Sequence, residues 1–138
     1  MMKILLCCGG GFSSSAMAEH LKKDIENSDY YRDKMTVEFY PFHNAFEKLD
    51  EVDVIMCCPH LAYSVPKFIK NYNVQIPIYI LPPKLYGSMT AKSIYEDLSE
   101  VIEGYKQDGR NPWCFPGEER NLQIKRRCSH REWMESQK

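Results

Sequence analysis

Four short apolar runs, each stopped by glycine or proline, constrain this chain more than any other feature. Ile4–Cys8 runs into three glycines, Met35–Tyr40 into Pro41, Val52–Cys58 into Pro59, and Ile76–Leu81 into Pro82-Pro83. Each is of strand length. The third is apolar almost without a break, the pattern of a strand covered on both faces. Segments with helical spacing lie between them. Met17, Ala18, Leu21 and Ile25 share one helical face. Phe68, Ile69 and Tyr72 follow Ser64 and Pro66, and proline suits a first turn because its missing N–H is not needed there. A short helix or turn is expected over Ala45–Leu49. Ala91, Ile94, Leu98, Val101 and Tyr105 form a stripe behind Thr90, a candidate cap.

Strands alternating with helices predict a parallel α/β sheet, and right-handed crossovers leave few topologies. The expectation is a four-stranded parallel sheet of flavodoxin-like order 2-1-3-4 with helices on both faces. Ligands of such sheets bind beyond the carboxyl ends of the strands, where strand order reverses. Here that point falls between the first and third strands. The turn after Cys8 and the turn Cys58-Pro59-His60 then face each other across one crevice.

The turn after the first strand reads Cys7-Cys8-Gly9-Gly10-Gly11-Phe12-Ser13-Ser14-Ser15. Glycines let backbone N–H groups converge without a clashing Cβ. The first turn of the following helix adds unpaired donors and the positive end of a dipole. Ser13 to Ser15 add hydroxyls and can cap that helix. These residues form an anion site that Cys8 opens, and a helix N-terminus favours the nucleophilic thiolate. Cys8 is therefore read as carrying a phosphoryl group, with Gly9, Gly10, Gly11, Phe12, Ser13 and Ser14 holding its oxygens. Cys7, still inside the strand, is read as structural.

Two related chemistries fit less well. A low-molecular-weight phosphatase loop has arginine six residues after its cysteine, where this chain has Ser14 (or Ser13, counted from Cys7), and no arginine precedes Arg32. The fork-shaped donor that stabilises a phosphoryl group in transfer is missing. Nucleotide-binding motifs fail as well: there is no Gly-Lys-Ser/Thr, and the third glycine of a dinucleotide fingerprint falls on Ser14.

The chain has 138 residues, 43% apolar and 27% charged, with a net charge of −1. That suits a globular domain and gives no electrostatic pull toward nucleic acid. No apolar run approaches a signal-peptide core or a membrane span, so a cytoplasmic protein is expected. The six cysteines (7, 8, 57, 58, 114 and 128) include two vicinal pairs at strand ends, which reads as reduced thiols rather than a disulfide framework. Residues 1–105 are read as one domain and 106–138 as an extension of unknown fold, because periodicity stops at Gln107-Asp108-Gly109-Arg110-Asn111-Pro112. The extension holds eight Lys or Arg against five Asp or Glu. Its Lys125-Arg126-Arg127 is read as a solvated charge run in preference to a lipid or nucleic-acid contact. Cys114, Cys128 and His130 lack the Cys-x-x-Cys pairs of a structural zinc site, so no metal is expected. Trp113, Phe115 and Trp133 are available to anchor the extension.

The segment Lys3–Ser15 resembles the cysteine loop of lactose/cellobiose-type enzyme IIB, a cytoplasmic component of the bacterial sugar phosphotransferase system. The family's loop runs Cys-x-x-Gly-Met-Ser-Ser/Thr-Ser, with Phe12 here in place of methionine. Asp53-Val54-Ile55-Met56-Cys57-Cys58-Pro59-His60-Leu61-Ala62-Tyr63 and Leu85-Tyr86-Gly87 are similar to further family segments, so the resemblance covers about residues 2–105. His60 stands where glutamine is usual, and Cys58 where glycine is. The resemblance implies that Cys8 takes a phosphoryl group from a phosphohistidine on enzyme IIA. It implies further that Cys8 passes the group to a cellobiose-, chitobiose- or lactose-class sugar at the membrane component, enzyme IIC, without metal or organic cofactor. Work at the inner face of the membrane would then be transient. His60 is a potential phosphate donor or a surface residue. Tyr63 and Tyr86 either close over the loop or pack, with packing favoured. Cys58 is read as an inert filler, ahead of a disulfide partner for Cys8. A regulatory module that senses phosphorylation without transferring it is the alternative from another functional class.

Overall fold

The computed structural model describes residues 1–8, 12–118, 124 and 126–137; for Cys8 and residues 12–15 it describes the backbone only. Four strands, β1 (Met2–Cys8), β2 (Met35–Pro41), β3 (Val54–Cys57) and β4 (Ile78–Ile80), pair entirely in parallel in the order β2-β1-β3-β4. This is the flavodoxin-like order expected from the alternating runs. Helices are α1 (Phe12–Glu26), α2 (Val65–Tyr72), α3 (Pro83–Tyr86), α4 (Ala91–Asp108) and α5 (His130–Ser136), with 3₁₀ turns at Phe42–Lys48 and Pro59–Leu61. Strand β3 starts later than its apolar run, because Asp53 is spent on β1. Its N–H donates to the Lys3 carbonyl at 2.8 Å, and its carboxylate accepts from the Lys3 N–H at 2.8 Å.

Period-two alternation divides the central strands between two cores. Ile4, Leu6, Val54 and Met56 face Ala18, Leu21 and Ile25 of α1 and Ile94, Leu98 and Val101 of α4. Leu5, Cys7, Ile55 and Cys57 face Phe42 and Ala45 of the first 3₁₀ turn and Val65 and Phe68 of α2. Helices thus cover both faces, and β1 and β3 are buried on each side. The helix signals act locally. Thr90 Oγ1 accepts from the Ser93 N–H at 3.1 Å and Ser93 Oγ accepts from the Thr90 N–H at 3.2 Å, a reciprocal cap on α4. Asp24 of α1 accepts from the Ala91 N–H at 2.6 Å, placing a carboxylate at the positive end of α4. Ser64 stands at the start of α2, but its side chain makes no capping bond.

The residues beyond α4 are woven into this core. After Gly109 ends the helix at φ 69°, the chain runs along the outer edge of β4. Asn111 acts as a surrogate strand residue: its Oδ1 accepts from the Ile78 N–H at 2.8 Å and its Nδ2 donates to the Ile76 carbonyl at 2.9 Å. The Trp113 N–H donates to the Ile78 carbonyl at 2.9 Å. Part of an edge that would otherwise present unpaired backbone groups is thereby covered. The Trp113 and Phe115 rings join the core beside α4, while Trp133 is partly exposed.

Arg126 corrects the reading of a solvated charge run, for it is only 2% exposed. Its guanidinium donates to Asp97 Oδ2 at 2.9 Å, to the Tyr79 hydroxyl at 2.7 Å, to both oxygens of Glu118 at 2.7 and 2.9 Å, and to the Cys128 carbonyl at 2.7 Å. The Tyr79 hydroxyl donates in turn to Asp97 Oδ2 at 2.9 Å. Burial pushes the Asp97 carboxyl above the usual carboxylate range even though Arg126 works against it. Burial and the neighbouring Asp97 push the Tyr79 phenol well up. Burial acts to lower the Arg126 guanidinium, but Glu118, Tyr79 and Asp97 outweigh it, so the cation is held the more firmly. Helix α5 then docks on α4. Ser129 Oγ donates to Glu96 Oε1 at 2.6 Å, the His130 N–H donates to Asp97 Oδ1 at 2.8 Å, and Lys92 pairs with Glu132.

Candidate functional site

Strand β1 ends at Cys8 and α1 begins at Phe12, so little chain separates the strand end from the helix start. Cys8 pairs in register with Pro41 of β2, and Cys7 with Cys57 of β3. The sequence leaves β1 toward β2, then crosses back over β1 to β3, so strand order reverses between β1 and β3. Cys8 therefore stands at the carboxyl end of the strand that borders the crevice of a doubly wound sheet. Gly9, Gly10 and Gly11 lie outside the described residues, and Phe12, Ser13 and Ser14 are placed as the backbone of the first turn of α1. That turn contains no acidic residue. A 15-residue helix directs its dipole and free N–H groups to its start, and nothing of negative charge in the first turn cancels them.

Across the crevice, β3 passes into the 3₁₀ turn Pro59–Leu61. The Cys58 N–H donates to the Cys7 carbonyl at 3.1 Å, so strand pairing continues one residue past β3. His60 is exposed, and its Nε2 lies 3.2 Å from the buried Cys58 Sγ. A hydrogen bond thus joins Cys58 and His60, two departures from the pattern that the sequence resembles. Tyr86, at the end of α3, is half-buried and packs against both cores at once. It also lines a groove of about 370 Å³, together with Ala16, Met17 and His20 of α1 and Ser88 and Thr90 before α4. Tyr63 does not pack as expected: it is 90% exposed, because Leu61 and Val65 on either side take the buried positions.

Sequence reasoning missed the Cys58–His60 hydrogen bond and the part His20 and Ser88 play in the groove. His20 follows Met17 by one helical step of three, but nothing in the sequence brings the 86–90 segment beside it. α3 also escaped notice, since a helix of one turn leaves no periodicity to detect. No helix among the described residues is long and apolar enough to cross a membrane.

Comparison with known proteins places the chain in a family. One solved structure similar to the chain is the cellobiose-specific phosphotransferase IIB component from Borrelia burgdorferi, 26% identical over 77% of this chain and 93% of that one, with a TM-score of 0.46. Another is the lactose-specific IIB component domain of the phosphoenolpyruvate:carbohydrate phosphotransferase system from Streptococcus pneumoniae, 13% identical over 79% of this chain and 98% of that one, with a TM-score of 0.41. The family model for the lactose/cellobiose-specific IIB subunit of the PTS system matches residues 3–97, from the second residue of β1 into α4. The chain belongs to the lactose/cellobiose-specific IIB subunits of the sugar phosphotransferase system.

Proposed function

We propose that this chain is a phosphocarrier whose Cys8 receives a phosphoryl group from a phosphohistidine on enzyme IIA and passes it to a sugar held by enzyme IIC. One observation carries the reading. A cysteine closes the central strand of a IIB-family domain at the strand-order reversal, just ahead of the N-terminus of a long helix with no acid in its first turn. In the first step the Cys8 thiolate attacks phosphorus, a P–N bond to the donor imidazole breaks and a P–S bond forms. In the second, a sugar hydroxyl attacks, the P–S bond breaks, a P–O bond forms, and the hydroxyl proton leaves to a base or water. Cys8 is regenerated as thiolate.

The protein's contribution is position and charge, as in phosphoryl transfer generally. Backbone N–H groups of residues 9–14 and the hydroxyls of Ser13 and Ser14 hold the three phosphoryl oxygens. The dipole of α1 offsets part of their charge, a contribution of about 1 kcal/mol. With no arginine in the loop, the bound group is held without the donor that would speed its loss to water. His60 and Tyr86 flank the crevice as accessory groups, and Tyr63, fully outside, is available to a partner surface. The chain works in the cytoplasm, meets the inner membrane face only while docked on enzyme IIC, and needs no metal or cofactor. Cellobiose, chitobiose and lactose define the sugar class.

Intact-mass measurement after incubation with phosphoenolpyruvate, the general phosphotransfer proteins and enzyme IIA tests this. Wild type and a Cys7→Ser variant should each gain one phosphate, and Cys8→Ser none. A wild-type protein that stays unmodified beside a competent donor would refute the carrier reading.

A further inference from the structure

Ser88 joins the chain beyond α4 to the wall of the groove beside α1. Its hydroxyl donates to the Lys84 carbonyl at 3.0 Å and to the Arg127 carbonyl at 3.1 Å. One proton is thus shared between α3 and a segment that lies outside the matched family region. The Arg127 carbonyl is a firm abutment because its neighbours are fixed. Arg126 is buried in its ion pairs, its guanidinium donates to the Cys128 carbonyl at 2.7 Å, and Ser129 Oγ donates to Glu96 at 2.6 Å. The wall itself is buried at its ends, Leu85 and Met89, whereas Gly87 and Ser88 between them are exposed and Tyr86 is half-buried. Ser88 is therefore a point at which the added chain fixes that stretch.

The stretch bears on the site for a geometric reason. Tyr86, Ser88 and Thr90 share the lining of a groove of about 370 Å³ with Ala16, Met17 and His20 of α1. Along the helix axis, Ala16 and His20 lie about 6 and 12 Å beyond Phe12, at roughly 1.5 Å per residue. A protein that brings a phosphoryl group to the start of α1 covers more than that. An interface of about 1,200 Å² in total, the lower end of the specific class, takes a disc of about 14 Å radius from each partner. A donor docked over the start of α1 therefore rests on this groove as well.

We propose that Ser88 is a positioning residue for phosphoryl transfer: through it, the chain beyond α4 holds the Tyr86–Thr90 wall in the form that the donor protein meets. The inference rests on the carrier reading and adds to it the donor's contact with the groove. On this assignment Ser88 acts on encounter and not on the chemical step, so its loss weakens donor binding and leaves the maximal rate alone.

Single-turnover phosphorylation of the full chain, followed by intact mass against rising concentrations of phosphorylated enzyme IIA, tests this. Ser88→Ala should raise the half-saturating donor concentration by about 2–10-fold, the range for one neutral hydrogen bond, with maximal rate and melting temperature unchanged. Ser88→Thr, which keeps the hydroxyl, should match wild type. Arg126→Met removes the abutment and should raise half-saturation too. Adding Ser88→Ala to it should then have no further effect, since both act through one contact. Amide exchange gives a readout that needs no donor. The Tyr86 N–H, bonded to the Pro82 carbonyl at 2.9 Å, should exchange faster in Ser88→Ala while the β1 amides do not change. Unchanged half-saturation, a loss confined to the maximal rate, full additivity with Arg126→Met, or unchanged Tyr86 exchange would each overturn the proposal. If Arg126→Met does not fold, the alanine and threonine variants decide alone. A wild type that takes no phosphate beside a competent donor would overturn the carrier reading instead, and the exchange comparison would still decide whether Ser88 holds the wall.

Discussion

Replacing Arg126 with methionine should destabilise this protein more than any other exchange of a charged residue outside the crevice. The side chain is 2% exposed and Asp97 is 0% exposed, so the exchange strips the cation from a carboxylate that water does not reach. Breaking a buried pair from one side costs about 3–5 kcal/mol, chiefly because the other charge is left behind. Asp97 would keep two donors, the Tyr79 hydroxyl at 2.9 Å and the His130 N–H at 2.8 Å, which places the loss near the lower end. Glu118 can turn to solvent and adds little. For a chain of this size, about 3 kcal/mol corresponds to a fall in melting temperature of roughly 10 °C, measured by calorimetry or circular dichroism. The deficit should also depend on pH. Burial already raises the Asp97 carboxyl above its ordinary 3.8, and removing Arg126 removes the chief opposing influence. A carboxyl whose folded pKa is raised supports folding most below its unfolded value and loses that support as pH rises through the folded one. The Arg126→Met deficit should therefore be largest near neutrality and shrink on acidification. Asp97→Leu combined with Arg126→Met should recover part of the loss, since a buried pair exchanged whole for apolar groups is often neutral. Arg127→Met, at an exposed neighbour, should change little. A melting point for Arg126→Met within about 2 °C of wild type would refute the argument.

Two further predictions concern the same side of the molecule. Gly104 lies inside α4, where alanine would ordinarily stabilise by about 1 kcal/mol. Here an added Cβ would overlap the six-membered ring of Trp113, with the indole Nε1 only 2.7 Å away. Gly104→Ala should therefore be destabilising by about 1–2 kcal/mol and disturb tryptophan fluorescence, because overpacking a filled site outweighs the helix gain. A stabilised variant would show that the ring yields. Asp108 accepts from the Arg110 N–H at 2.9 Å and from Arg110 Nε at 3.0 Å, and these bonds hold its carboxyl below the ordinary 3.8. Its contribution is present above that value and lost as pH falls through the lower folded one, so Asp108→Asn should flatten the most acidic part of the stability profile. An unchanged slope in denaturant titrations below pH 3.8 would count against it.

What could be read ahead of the structure followed from strong local signals. Apolar runs ending in glycine or proline located all four strands, and the crossover rule turned that series into the order 2-1-3-4. Boundaries erred where a side chain was used elsewhere, as when Asp53 ties the start of the third run to Lys3 and delays β3 to Val54. The seven-residue 3₁₀ turn at Phe42–Lys48 begins earlier than expected, directly after the extended Pro41 that ends β2. Long-range pairing left no trace in the sequence. Nothing in Lys125-Arg126-Arg127 says that the middle cation belongs to an aspartate 29 residues earlier on the face of α4. Asp97 sits beside Ile94, Leu98 and Val101, and its proximity to that stripe was the one available hint. The Cys58–His60 contact was similarly hidden, since each residue looked like an isolated departure from the family pattern.

The arrangement separates stability from chemistry by strand position. The chain beyond α4 covers part of the outer edge of β4 and supplies the cation that pairs with Asp97 and Tyr79. Strand β4 lies beyond β3 from β1, so this packing acts on the far side of the sheet from the end of β1. The crevice between β1 and β3 is bordered instead by α1, the Pro59–Leu61 turn and Tyr86. On the proposed carrier function that crevice meets a donor and then a membrane-bound acceptor, so anything folded over it would have to move twice per turnover. An edge of the sheet carries no such demand. Additional chain can be bound there as tightly as a buried ion pair allows without entering the path of the phosphoryl group.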